Sequence, residues 1–137
     1  MTAMVLTAAY LNLTGPGLVH SYMSKIEVTA EVEEKDVTVF TSLGWKEVVG
    51  GLKSGNVSCT FKNSYVDATL DDLLWAVFGS VIAYESRATQ SAVGVNNPKY
   101  TGSVLIKQLQ PIMGTVGDVA EQSITWPTSG AITRAEA

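Results

Sequence analysis

The 137-residue sequence holds one cysteine, Cys59, and one histidine, His20. A single cysteine allows no internal disulfide. Together, one thiol and one imidazole cannot build a zinc site. Charge is scarce as well: charged residues make up 16% of the chain, with 9 basic against 13 acidic side chains and a formal net charge of −4. Tight nucleic-acid binding relies on clustered Lys and Arg, so this balance argues against it. The apolar run from Met4 to Leu11 is far shorter than the ~20 residues that span a membrane. No base precedes it, the first being Lys25, so it does not read as a secretory signal.

Catalytic motifs are missing too. There is no G-x-S-x-G elbow and no G-x-G-x-x-G before the helical stretch. Gly50-Gly51-Leu52-Lys53-Ser54 lacks the glycine spacing of a phosphate loop, and Leu52 stands between glycine and lysine. Glu33-Glu34 are neighbours on a strand-like stretch and point to opposite faces. Asp71-Asp72 fit the first turn of a helix, where the dipole favours carboxylates. Both pairs read as solvated, and His20 as a surface or hydrogen-bonded residue. The chain is expected to be no enzyme and to carry no cofactor or metal.

What is present is apolar. Hydrophobic residues are 46% of the sequence, above an average soluble domain. So little charge covers a monomer's surface poorly, which favours an oligomer. Lys25 to Val32 alternates strictly, with Ile26, Val28, Ala30 and Val32 on one face and charged or polar residues on the other. That is a half-buried strand. Asn56 to Phe61 alternates again, placing Cys59 with Val57 and Phe61 as a small core residue. Leu70, Leu73, Leu74, Val77 and Phe78 then follow the helical period. Thr69 and Asp72 stand where a capping box would put them, and Gly79 ends the helix. Trp75 lies off the apolar stripe and is free to meet a second surface.

Val81 to Arg87, Ser103 to Gln110 and Val119 to Trp126 read as further strands, separated by Asn96-Asn97-Pro98 and Thr115 to Asp118 turns. Residues 1–137 make one domain. Many short strands and one helix predict a mainly β fold, a sandwich or barrel with one flanking α-helix.

The stretch from Asp36 to Gly55 stands out. It reads as a long loop, punctuated by Gly44, Gly50, Gly51 and Gly55. Yet it carries Phe40, Leu43, Trp45, Val48, Val49 and Leu52. Surface loops are seldom so apolar, so these side chains need cover from their own domain or from another chain.

Four segments in order carry a resemblance: DVTVFTSLGWKEVVGGLKSGNVS (Asp36 to Ser58), DATLDDLLWAVFG (Asp67 to Gly79), NPKYTGSVLI (Asn97 to Ile106) and GDVAEQSITWPTSGAITRA (Gly117 to Ala135). With these the chain resembles, over nearly its whole length, the major tail protein, or tail tube protein, of phages with long non-contractile tails. That family is related to type VI secretion tube proteins. The resemblance implies a β-sandwich or barrel with one flanking helix. It implies hexameric rings stacked into a tube through which genome DNA leaves, with four strands per subunit joined into an inner barrel. It implies tape-measure and tail-end proteins as further partners, passage of DNA without tight binding, and a place in the virion tail after synthesis in the bacterial host cytoplasm.

On this reading Phe40, Leu43, Trp45, Val48 and Leu52 form an inter-ring or inter-subunit loop. Glu27, Thr29, Glu31, Ser58, Thr60, Glu121 and Ser123 either line the lumen or face outer solvent. The loop, residues 1 to 4 and the C-terminal arm, residues 128 to 137, are the segments expected to order on assembly. No additional immunoglobulin-like domain is expected. The competing reading is a monomeric β-sandwich that binds carbohydrate, with Tyr65, Tyr84 and Trp75 as a ligand platform.

Overall fold

The computed structural model describes residues 3–137. Residues 1 and 2 of the N-terminal segment expected to order on assembly lie outside the described residues. The strands are Tyr10–Leu13 (β1), Gly17–Leu18 (β2), Met23–Asp36 (β3), Val48–Lys62 (β4), Val81–Arg87 (β5), Lys99–Leu105 (β6), Glu121–Pro127 (β7) and Thr133–Ala135 (β8). One α-helix, Leu70–Ala76 (α1), lies between β4 and β5. Five strands form one sheet in the order β2-β1-β5-β6-β8, and β3-β4-β7 form a second. Every paired neighbour is antiparallel.

The core lies between the sheets because alternation gives each strand one apolar face. Leu11, Leu13, Tyr84 and Val104 come from the larger sheet. Val57, Cys59, Phe61, Ile124 and Trp126 come from the smaller, and Leu70 and Leu74 of α1 join the same cluster. Trp126 is fully buried and its indole N–H donates to the Gln108 carbonyl at 2.9 Å, so the ring is buried without orphaning its one donor. Burial pushes the Cys59 thiol up to about 12, because the thiolate has no solvation there. Native protein at pH 8 is therefore expected to resist thiol reagents, with one equivalent reacting only after denaturation. Rapid labelling of the native chain would mean that this sheet pair opens.

The helix differs from its expected cap. Thr69 makes no side-chain cap bond to α1. Its hydroxyl bonds Ser64 and Val66 instead, while Asp72 accepts from the Ala68 amide at 3.1 Å. The turn preceding the helix competes for the threonine and wins. Gly79 does sit at positive φ, +85°, past the helix end. Trp75 is exposed as expected, and Phe78 is exposed beside it, packed edge-on at 5.2 Å.

Two further boundaries shift. The strand expected over Ser103 to Gln110 runs over Lys99–Leu105, because β5 sets its register from Val81↔Leu105 to Arg87↔Lys99. The C-terminal arm is seated on its own subunit. Thr128 bridges Val104, and β8 pairs with the start of β6.

The largest correction concerns the stretch from Asp36 to Gly55. Only residues 37–47 connect strands. Val48 to Gly55 continue β4 and pair with β3 from Asp36↔Val48 to Ala30↔Gly55. A register shift between Val32 and Glu34 sets Gly51 and Leu52 together opposite one residue of β3, a β-bulge of the kind that bends a strand. Gly55 is there for space. A Cβ would lie 2.4 Å from the Thr29 carbonyl oxygen and 2.7 Å from Ile132 of the arm. Gly55→Ala is expected to cost about 1–3 kcal/mol, read as a lower urea midpoint at unchanged m-value. An unaltered midpoint would show that the hairpin base and the arm separate freely.

Candidate assembly surfaces

Three features of the smaller sheet bear on assembly: one face that is polar apart from Pro127, an edge without a partner among the described residues, and an arm that outruns the body.

The polar face follows from alternation plus register. Residues directly opposite in antiparallel strands share a face. Glu27 sits opposite Ser58, and Ser58 opposite Thr125. Lys25, Thr60 and Ser123 form the next row, Thr29 and Asn56 the row on the other side, and Lys62 with Glu121 the end row. All seven residues named as candidates for a lumen or outer-solvent face, Glu27, Thr29, Glu31, Ser58, Thr60, Glu121 and Ser123, therefore lie on one side of one sheet. Cross-strand bonds knit that side: Ser58 to Thr125 at 2.8 Å, Thr60 to Ser123 at 3.1 Å, and Lys62 Nζ to Glu121 at 2.5 Å. Two lysines, Lys25 and Lys62, stand on the same face. Lys25 lies 3.9 Å from Glu27 and Lys62 pairs with Glu121, so Glu31 carries the face's one unpaired charge among the described residues of these strands. This wall is nearly neutral, held by exposed pairs worth ~0–1 kcal/mol each.

The edges differ. The outer side of β3 has no strand partner among the described residues. On the outer side of β7, the Ser123 amide donates to the Gln110 side chain at 3.0 Å. Gln110 is held in turn by its own amide donating to buried Gln122 at 3.1 Å. Pro127 closes β7, where a missing N–H suits an edge. An open edge such as that of β3 is a template for another strand.

The arm is the β3–β4 hairpin. The strand β7 covers β4 only from Asn56 to Lys62, so Val48 to Gly55 and their β3 partners extend beyond it by ~27 Å at ~3.4 Å per residue. Both faces there are exposed. At the tip Phe40 is 104% exposed, Leu43 84% and Trp45 78%. Val48 and Leu52 are exposed on the strand behind them.

The tip is nonetheless ordered. Asp36 accepts from the Thr38 amide at 2.8 Å, Thr38 Oγ1 accepts from the Glu47 amide at 2.8 Å, and the Val37 amide donates to the Glu47 carbonyl at 3.0 Å. Hydrogen bonding from Thr38, by its side chain first and then by its backbone amide, holds the Asp36 carboxyl below its ordinary value. Ser42 turns the chain by accepting from the Val39 amide at 3.2 Å. Leu43 then sits at φ +56°, a left-handed conformation costly for a large side chain. Gly44 supplies a left-handed turn at φ +84°, while hydrogen bonds fix the shape around it.

The carbohydrate platform does not form. Tyr84 is 3% exposed, inside the core. Tyr65 donates to the Pro111 carbonyl at 2.6 Å. Among the described residues no group of acids, histidine and cysteine is placed to hold a metal, and no helix is long and apolar enough to cross a membrane.

This arrangement, mainly β with two sheets and one helix, is the phage tail tube fold. The chain is similar to one in the virion of a native gene transfer agent particle. That match has a TM-score of 0.76 and 17% identity, and covers 97% of this chain and 99% of the other. It is also similar to a chain of the tail of an empty gene transfer agent particle determined with C6 symmetry, with a TM-score of 0.70, 20% identity and 92% of each chain covered. No protein-family model and no curated protein matches the sequence.

Proposed function

We propose that this chain is the subunit of a tail tube, in a phage or a phage-derived gene transfer agent. It assembles with copies of itself into six-membered rings that stack along one axis. The observation that carries the reading is the smaller sheet. It has one polar, nearly neutral face, an open β3 edge, and an apolar hairpin that outruns the subunit. A monomer has no use for that combination, whereas a ring uses all three. The similar chain from a C6-symmetric tail supports the six-fold count.

Ring closure joins the open β3 edge to the β7 side of the next copy, removing an aggregation-prone edge. The polar face then lines the bore. The resemblance implied four strands per copy, but the sheet has three. Three strands from each of six copies, ~4.8 Å apart, close a ring roughly 27 Å across at the backbone. Strands tilted by about 45° widen it to roughly 39 Å. Tilted closure therefore leaves duplex DNA the more room. DNA passes without being held, because few cations face it to release phosphate counterions. A tape-measure protein inside the tube and proteins at its ends complete the assembly. The protein is made in the host cytoplasm and resides in the virion tail.

Electron microscopy and light scattering of the purified chain across concentration test this directly. Rings or tubes about one subunit thick in their walls are the expected result. A monodisperse monomer at every concentration and salt would overturn it.

A further inference from the structure

The hairpin tip has a counterpart in the same chain. The turn over residues 111–120 lies at the opposite end of the smaller sheet, where the Asn63 amide donates to the Ala120 carbonyl and β7 begins at Glu121. It exposes Ile112 at 84%, Val116 at 102%, and also Met113 and Val119. Soluble monomers seldom gather so much apolar surface in one turn. Thus β4 carries an uncovered apolar patch beyond each of its ends, Phe40, Leu43 and Trp45 at one and Ile112, Val116 and Val119 at the other.

Symmetry decides between the ways of covering them. Tip against tip is an isologous contact, satisfied by two copies, and it stops growth. An open stack in which every ring points the same way needs unlike surfaces at each junction, a heterologous contact. Two complementary apolar patches at opposite ends of one sheet meet that need. We infer that the tip of each hairpin seats on the 112–119 turn of a second copy of this chain, in the adjoining ring. The inference rests on the tube reading above and names the receptor for its arm. Hydrogen bonds hold the tip in shape before docking, so little ordering cost is charged to the contact. The exposed Trp75–Phe78 pair on α1 is the other apolar surface the tip could reach, and it belongs to the test.

A chain carrying both Leu43→Cys and Val116→Cys is assembled, its tubes are verified by electron microscopy, and it is then oxidised under copper catalysis. Each subunit can link upward and downward, so a ladder of covalent chains well beyond dimers is expected on a non-reducing gel. Buried Cys59 leaves wild-type tubes unlinked. Intact tubes without a ladder overturn the pairing but not the tube, all the more if Leu43→Cys with Trp75→Cys links instead. A charge exchange guards against a variant that fails to assemble. Val116→Lys alone is expected to raise the protein concentration needed for tubes at least tenfold, and Leu43→Glu in the same chain to restore most of it. Assembly of Val116→Lys at the wild-type concentration overturns the pairing. A wild-type chain that never forms tubes overturns the tube reading and the pairing together.

Discussion

Trp45→Ala is expected to yield a folded subunit that assembles only at concentrations ten- to a hundred-fold above wild type. The side chain is 78% exposed in the single chain, so its loss removes almost no intramolecular contact, and substitutions at such sites usually shift stability by less than ~0.5 kcal/mol. The docking proposed above buries the same indole, and burying a large apolar side chain contributes roughly 1.5–3 kcal/mol. At ~1.4 kcal/mol per tenfold, one lost anchor per subunit accounts for the expected range. Leu43→Gly sharpens the point. Leu43 is held at φ +56°, where glycine sits without steric cost. The glycine variant is expected to melt at or slightly above the wild-type temperature while assembling poorly. A side chain whose removal helps the fold and harms the polymer acts between copies. Sedimentation of tubes against circular-dichroism melts separates the two effects. Normal tubes from a chain that has lost its near-UV signal would place both residues in the subunit's own packing.

The hairpin also shows what the sequence could and could not disclose. Alternation from Lys25 to Thr29 and from Asn56 to Phe61 was legible, because those stretches bury one face; the same alternation runs on through Ala30 and Val32, which the structure leaves exposed on the hairpin. The helix and the strand ending at Trp126 were legible for the same kind of reason. Val48 to Gly55 gave no such signal. Beyond the base, where Gly55 lies against Thr128 and Ile132, the hairpin's residues are exposed on both faces, so burial marks out no single face there, and Gly50, Gly51 and Gly55 read as breakers. The pairing with β3 supplied what local propensity lacked. Register was invisible as well. Nothing in the sequence states that Glu27, Ser58 and Thr125 share a row, or that Lys62 sits beside Glu121. The polar residues could be named one by one, but their assembly into a single nearly neutral wall needed the ladder. The capping box failed because Ser64 and Val66, outside the motif, compete for the Thr69 hydroxyl.

Reversing the charge of the polar face is expected to turn a conduit into a trap. Glu31→Lys with Glu121→Lys changes each subunit by four charges, so a six-fold ring changes by about 24, repeated at every ring of the stack. Lys62 also loses its partner at 2.5 Å and stands free beside the new lysine. Each phosphate neutralised by such a wall releases counterion, and affinity then falls steeply with salt, by roughly 10³–10⁵ between 50 and 200 mM for six to ten contacts. Assembled variant tubes are thus expected to retain short duplex DNA at 50 mM salt and release it near 200 mM, while wild-type tubes retain none. Location matters as much as affinity. DNA held in a bore is shielded from a nuclease too large to enter, whereas DNA held on the outer surface is digested. Protected fragments would put Glu31 and Glu121 on the lumen wall. Binding without protection would assign that face to the outside of the tube and would require the bore to be lined by another part of the chain. The two edges make the first outcome the expected one. Closing a ring through the open β3 edge curves the smaller sheet around the axis, and only one of its faces is free of the core.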